Sequence, residues 1–561
     1  MILSPVALGF LYVRLFGVDV PHYDSWSMVP LFEKLSSGTL TMEDLFSQHN
    51  EHRIFFPRVA MLLFGTATAF DNVAVMYLIQ GCLVVTLVAL LLAFRGSVTT
   101  KPLYFVPIPF LVFTWGQVWN MLQAFQITLI FAQTFSVLAF FLLYASRRGG
   151  LGTFAFPGAL LSGAVASFSA APGLLVWPVG FLQILTLPAQ RRAKALLAGA
   201  WGVAGVAAWV LYFRGYDQPD NMSSRYEFGD LLASSAFFLS TLGSALFREQ
   251  GLALVVGAVL ASLLAASLFF VYRGRRLGES SFWIAILSFS LLTLASTTLA
   301  RGGAGIGDAT NPKYVTFSVL AVIGAYAMLV SSTFEHRRLV TAVSLGVLAL
   351  LVAASIPFSY ALGFERGVSL ERSKERAALV LATYESQPDE VLVEYFRNRP
   401  DVSRERASVL QRLGYSVFSE PRPRALPPAL STLSPVRSSS PVYGVQTLSG
   451  ADPGAQDRPI VVPEGSSSVA VSGWAVDAGA EDVAGGVYVI VDGRPFPALY
   501  GTRNPEVAER FDVPAYEHSG FEREIPVSEI GPGSHELSVV VVTNDGSGYY
   551  PPERTIAFEV E

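Results

Sequence analysis

The chain has 561 residues, of which 52% are hydrophobic and only 15% charged, with a formal net charge of −5 and a mean hydropathy of +0.46. A soluble protein carries about 25% charged residues and divides into domains with charged surfaces, so one soluble core of this composition is excluded. Basic residues fall in short clusters between apolar runs, which excludes a basic stripe for nucleic acid, and the lone cysteine, Cys82, excludes an internal disulfide and a thiolate metal cluster.

A membrane-spanning helix needs about 20 apolar residues. Runs near 2–18, 73–94, 102–117, 126–146, 152–170, 173–189, 195–213, 251–272, 281–300, 315–333 and 339–358 predict a multi-span α-helical membrane protein with about eleven transmembrane helices. The first run lacks the charged start and small-residue cleavage site of a signal peptide and reads as a membrane helix. Two further apolar stretches, 54–70 and 231–247, are short, and the first contains Arg58, which costs about 3 kcal/mol at a bilayer centre. Neither is expected to cross. The basic clusters Arg95 with Lys101, Arg147–Arg148, Arg191–Arg192 with Lys194, Arg273 with Arg275–Arg276, and Arg337–Arg338 then alternate with the spans and are expected on the cytoplasmic side. This puts the N-terminus in the cytoplasm, makes residues 19–72 a large external loop with interfacial helices, and leaves everything after about 359 outside.

Three external segments carry the polar chemistry of the membrane domain, residues 1–358. Between Val18 and Arg58 stand three of the six histidines, His22, His49 and His52, with Asp19, Asp24, Glu43, Asp44, Glu51, Arg53 and Arg58. Ionisable groups packed against a membrane face need partners to offset desolvation, and so commonly serve a site. His49, Glu51 and His52 could hold a divalent metal, although their i, i+2, i+3 spacing converges less well on a helix than i, i+4 does. The stretch Trp115–Gln126 sets Gln117, Asn120, Gln123 and Gln126 among aromatics such as Trp119 at a membrane boundary, where amides can hydrogen-bond and aromatic faces can stack. Arg301–Tyr314 is Gly-rich, with Arg301 and Lys313 as cations and no GK[ST] of a nucleotide-binding P-loop.

Residues 359–457 are expected to form an external helical segment and a linker. Over 365–418, Leu and Val at helical spacing predict short surface helices broken by Pro388 and Pro400, and 419–444 is rich in Pro and Ser, as an extended strap would be. From about 458 to 561, short β-branched runs alternate with turns at Asp492-Gly493, Gly531-Pro532-Gly533 and Asn544-Asp545-Gly546. About seven strands in roughly 100 residues predict an all-β sandwich domain. Trp474 is expected in its core.

Two resemblances follow from these residues. GWAVD (Gly473–Asp477), VDG (Val491–Gly493), NPEVAERF (Asn504–Phe511), SGF (Ser519–Phe521) and GSHELSVVVV (Gly533–Val542) resemble the immunoglobulin-like modules of bacterial surface proteins. The membrane part resembles the GT-C glycosyltransferases. His22-Tyr23-Asp24-Ser25-Trp26 matches the acidic start of their first external loop, and His49-Asn50-Glu51-His52-Arg53 through Pro57 to Leu63-Phe64-Gly65 matches its interfacial segment. Arg301–Tyr314 resembles the arginine-and-tyrosine loop before a late span, with lysine where arginine is commoner. The chain departs from members with an Asp-Glu pair, since serine follows Asp24.

That resemblance implies transfer of a sugar from a polyprenyl-phosphate donor to an envelope glycan, lipid or protein, at the external face of the inner (plasma) membrane, with no required cofactor. It further implies that Asp24 deprotonates the acceptor, while Arg301 and Lys313, with Arg53 or Arg58, hold the lipid phosphate as it leaves. His49, Glu51, His52, Trp119, Asn120, Gln123 and Tyr314 would complete the substrate site. A flippase for a lipid-linked glycan would call for mid-span charges and internal repeats, and few such charges and no repeat are found. A non-catalytic envelope scaffold would not need so many spans.

Overall fold

The computed structural model describes residues 2–146, 152–188, 190–218, 231–302, 305–336, 339–385, 387, 389–419, 428–436, 442–454, 459–463 and 465–561. Arg147–Arg148, Arg337–Arg338, Pro388 and much of the expected strap lie outside the described residues. The chain divides into two compact units: residues 1–17, 34–68 and 72–370 form the first, and 18–33, 69–71 and 371–561 form the second. Residues 19–72 are shared between the two units. Asp19, His22 and Asp24 belong to the second unit, and Glu43 through Arg58 to the first.

The first unit is helical. Among the described residues, eight helices are long and apolar enough to cross a membrane: Asn72–Ser97, Pro102–Leu122, Ala124–Ala145, Arg191–Phe213, Gln250–Arg273, Ser281–Arg301, Pro312–Thr333 and the first part of Leu339–Ala382. Several expose apolar stripes, such as Leu196, Val203, Val206 and Val210 on one and Leu339, Val340, Val343 and Leu350 on another. Water would penalise such faces and lipid would not, which suits a membrane protein. Pro312–Thr333 is the opposite case, buried on every side at the centre of the bundle. Its polar groups bond to neighbouring helices, with Thr316 Oγ1 donating to Gln133 Oε1 at 2.8 Å and Ser318 Oγ to the Thr241 carbonyl at 2.8 Å.

The remaining apolar helices are shorter: Ser4–Phe16, Phe55–Ala67, Phe154–Ser167, Ala171–Thr186 and Leu231–Gly243. The two stretches expected not to cross form helices of 13 residues. At 1.5 Å per residue such a helix reaches about 20 Å, short of a hydrocarbon core of about 30 Å. Leu231–Gly243 instead packs closely on Gln250–Arg273, since a Cβ at Gly257 would lie 1.8 Å from the Leu239 carbonyl oxygen.

Two expectations for residues 359–457 are corrected. The helix beginning at Leu339 does not end near 358 but continues to Ala382, with Pro357 inside it. The rise in charge after Glu365 changes the surroundings of the chain but not its helix propensity, because Glu, Arg, Ala and Leu are all good helix formers. Pro400 opens a helix, Pro400–Leu413, rather than breaking one, because its missing N–H is not needed in the first turn.

In the second unit, residues 18–33 pack on the helices Asp389–Phe396 and Pro400–Leu413. Trp26 meets Phe396 with ring centroids 5.0 Å apart, Phe32 meets Tyr415 at 5.4 Å, and Arg412 pairs with Glu33 at 2.5 Å. The C-terminal region is β-rich, with two sheets. One orders Leu499–Thr502, Gly520–Pro526, Ser468–Asp477 and Tyr443–Leu448, all antiparallel. The other is centred on Gly533–Val542, which pairs antiparallel with Gly486–Val491, Gly548–Tyr550 and Ile556–Val560. Ile460–Val462 joins its edge in parallel. Val469, Val471 and Phe521 of the first sheet share one buried core with Val489, Leu537 and Val539 of the second. The strand Tyr443–Leu448 lies upstream of residue 458, so β structure begins inside the expected linker. Trp474 is buried, but with Val476, Val507, Tyr516 and Phe511 (centroids 5.4 Å apart) in a smaller cluster apart from the core that the sheets share.

Candidate functional site

The site of interest lies in the first unit, where a short hairpin meets the ends of three helices. Gln48–His49 pairs antiparallel with His52–Arg53, and Asn50 takes the positive φ of 49° at the turn, a conformation that asparagine tolerates well. Tyr212, at the end of the helix Arg191–Phe213, holds the turn. Its hydroxyl donates to the Glu51 carbonyl at 2.9 Å and accepts the Arg53 backbone N–H at 3.3 Å.

Arg53 and Arg58 both reach backbone carbonyls. The Arg53 guanidinium donates to the carbonyls of Tyr212 (2.7 Å), Phe46 (2.8 Å), Arg214 (2.7 Å) and Gly215 (3.0 Å). Three of these lie at the C-terminal end of Arg191–Phe213, where carbonyls lack helical partners and attract a cation. Arg58 does the same for the short helix Met42–Phe46, donating to the carbonyls of Asp44 (3.2 Å), Leu45 (3.0 Å) and Ser47 (2.6 Å). Both arginines are buried and spend these donors on the backbone.

Glu51, His52, Arg301, Lys313 and Tyr314 do come together. They line a cavity of about 420 Å³ whose other walls include Leu129, Leu174, Leu175, Trp209, Phe213 and Phe317. Arg301 Nη2 lies 2.6 Å from Glu51 Oε1. His52 Nδ1 accepts the Ala171 backbone N–H at 3.3 Å, which assigns the ring proton to Nε2, 3.9 Å from the same Glu51 oxygen. Burial pushes the Glu51 carboxyl up, but His52, its own backbone and Arg301 outweigh burial and hold it below its ordinary value. Burial lowers the His52 imidazole, with Glu51 opposing. At neutral pH the pocket thus holds a carboxylate and a neutral imidazole beside the Arg301 guanidinium.

The 301–314 loop is built around Asp308, a residue the sequence reading passed over. Asp308 accepts from Tyr314 Oη at 2.9 Å and from Asn311 Nδ2 at 3.0 Å, and Asn311 in turn accepts the Lys313 N–H at 3.2 Å. Asn120 serves from outside the cavity, with Nδ2 donating to the Lys313 carbonyl at 3.1 Å. Its place in the amide-rich segment is thus to position the lysine. His49 packs on Phe125 with centroids 4.9 Å apart, Trp119 packs on the cluster of Tyr12 and Trp115, and Gln123 is buried; none of the three lines the cavity. Among the described residues no group of three or more His, Cys, Asp or Glu is arranged to hold a metal ion. Asp24 is exposed, in the short 3₁₀ helix Tyr23–Met28 of the second unit.

Asp308 sat in plain view between glycines and Asn-Pro, where an Asx turn is expected. Tyr212 was hidden, because an aromatic near the end of an apolar run reads as part of the membrane belt.

No protein-family model matches the chain. It is similar to an uncharacterized protein of Archaeoglobus fulgidus, at 27% identity over 203 residues, covering 33% of this chain and 50% of that protein. The chain thus spans about half the length of the curated relative it matches.

Proposed function

We propose that the protein is an integral membrane glycosyltransferase that moves a sugar from a polyprenyl-phosphate donor to an acceptor of the cell envelope. The observation that carries this reading is the cavity in which Arg301 and Lys313 stand beside walls of Leu, Phe and Trp. An apolar chamber with cations is complementary to a lipid phosphate, whose chain needs the first and whose headgroup needs the second. A soluble sugar nucleotide would have little use for the apolar walls. The carboxylate that lines this cavity is Glu51, whereas Asp24, the base implied by the resemblance, belongs to the other unit.

In this reading the chain crosses the membrane about eleven times; three crossings fall on the shorter helices Ser4–Phe16, Phe154–Ser167 and Ala171–Thr186, which are set apart from Phe55–Ala67 and Leu231–Gly243 by Arg58 and by the alternation of the basic clusters rather than by length. The β-rich region is an external immunoglobulin-like sandwich, supported by the core its two sheets share. Orientation has its own test: in a Cys82→Ser background, a cysteine at Ser37 reacts with an impermeant thiol reagent on intact cells and one at Ser97 does not. Labelling at Ser97 would overturn the orientation.

The donor reading is tested by binding of a prenyl phosphate to the full chain in nanodiscs. A charge-assisted hydrogen bond contributes about 1.5–3 kcal/mol, so Arg301→Ala should weaken binding about ten- to a hundredfold. Lys313→Ala should do so to a similar or smaller extent. Arg301→Lys recovers only part, because the planar fork is lost. Parental affinity in all three variants would remove the cavity from the mechanism.

A further inference from the structure

Arg301 is not idle in the cavity, and the geometry of its ion pair has a consequence for catalysis. Its guanidinium meets Glu51 at 2.6 Å, with the side chains 29% and 19% exposed, so the pair is largely desolvated yet reachable from the cavity. Asp308 also influences Arg301 electrostatically, but its two oxygens are occupied by Tyr314 and Asn311. An anion entering the cavity therefore competes with Glu51 above all for this cation.

We infer that Glu51 is the resident counter-ion of the empty cavity, that the donor phosphate takes Arg301 from it, and that the freed carboxylate is the base for the acceptor hydroxyl. This rests on the donor reading above and assigns its acid–base half. While Arg301 is paired to it, Glu51 is a weak base and is shielded from an acceptor. Once the guanidinium turns to phosphate, Glu51 has lost its ion-pair partner and faces a second anion, while burial, its own backbone N–H and His52 remain. Both changes make a carboxylate more basic. The other titratable groups beside Glu51 include Lys313, which lines the same cavity, and the phenols of Tyr212, Tyr216 and Tyr314.

The transfer then balances without further reagents. The acceptor O–H proton moves to a Glu51 oxygen as the acceptor oxygen forms its bond to the anomeric carbon. The bond from that carbon to the phosphate oxygen breaks, and its electron pair leaves on the lipid phosphate, held by Arg301 and Lys313. Departure of the lipid phosphate returns Arg301 to Glu51, which gives its proton to solvent. Base strength is thus coupled to donor occupancy, so the empty enzyme does not activate water or acceptor.

The test uses methyl farnesyl phosphate, a phosphodiester that does not titrate near neutral pH, added to the full chain in nanodiscs. Calorimetry in buffers of different ionisation enthalpy reads affinity and proton uptake together. Glu51→Gln should bind the probe about fivefold more tightly than the parent, since no carboxylate competes for Arg301. The parent should take up a fraction of a proton on binding at pH 6, and Glu51→Gln none. Glu51→Asp, which keeps the charge but shortens the reach, should bind between the two. Weaker or equal binding by Glu51→Gln, or no proton uptake by the parent, overturns the inference and makes Glu51 a positioning residue for Arg301. Undiminished binding by Arg301→Ala is a different failure, that of the donor reading itself.

Discussion

The hairpin at 48–53 and the loop at 301–314 each bring an arginine to the same corner of the first unit, and the two arginines end in opposite conditions. Arg53 is enclosed by four backbone carbonyls, most of them at the end of a helix. Arg301 meets one carboxylate across a cavity. Carbonyl oxygens at a helix terminus cannot move away or change charge, so an arginine that satisfies them is fixed. A carboxylate can be protonated or displaced, so its arginine can change partner. The sequence neighbours of the two residues do not reveal this difference; it depends on what the fold brings to face them.

The largest effect should come from disturbing the fixed arginine. Arg53→Met strands four carbonyls at about 1–3 kcal/mol for each one left without a donor, so the apparent melting temperature in nanodiscs should fall by about 5 °C or more. Arg301→Met should leave melting near that of the parent while binding of a prenyl phosphate collapses. Equal melting of the two variants would erase the contrast.

A smaller effect should follow at Asn120, which touches the loop and not the cavity. Asn120→Ala removes one hydrogen bond to the Lys313 carbonyl, worth about 1 kcal/mol, so prenyl phosphate affinity should drop about fivefold with little change in melting. A hundredfold loss would mean that Asn120 itself meets the ligand.

The smallest expected effect is on the pH dependence of stability. The Glu51 pKa is held below its ordinary value of 4.5 in the folded protein. A depressed carboxylate stabilises the fold above its unfolded pKa and loses that contribution as pH falls through the lower folded value. The stability difference between the parent and Glu51→Gln should therefore be constant well above the ordinary carboxylate value of 4.5 and shrink as pH falls below it, through the lower folded value. A difference that widens in acid would reverse the sign of the Glu51 shift.

Much of the fold was legible because lipid imposes a simple rule on composition. Runs such as 73–94, 195–213 and 251–272 emerged as long helices at nearly the expected bounds. What composition could not mark was where a helix stops when its surroundings change, as at Glu365, or a strand that follows a Pro- and Ser-rich stretch, as Tyr443–Leu448 does. In the site, Glu51, His52, Arg301, Lys313 and Tyr314 could be picked out because charge beside a membrane face is costly without a purpose. Arg53 and Arg58 met the same criterion for a different reason, that of completing helix ends. Asp24 and Glu51 lie in one stretch of sequence, yet the chain distributes them to different units.

Whether the Arg301 cavity receives a lipid phosphate is tested directly by an electron cryomicroscopy structure of the full chain in nanodiscs with a prenyl phosphate. The account predicts phosphate density within hydrogen-bonding distance of Arg301 and Lys313, the prenyl chain along Phe317 and Trp209, and Glu51 parted from Arg301. An intact Arg301–Glu51 pair in an empty cavity, with the lipid bound elsewhere, would contradict it.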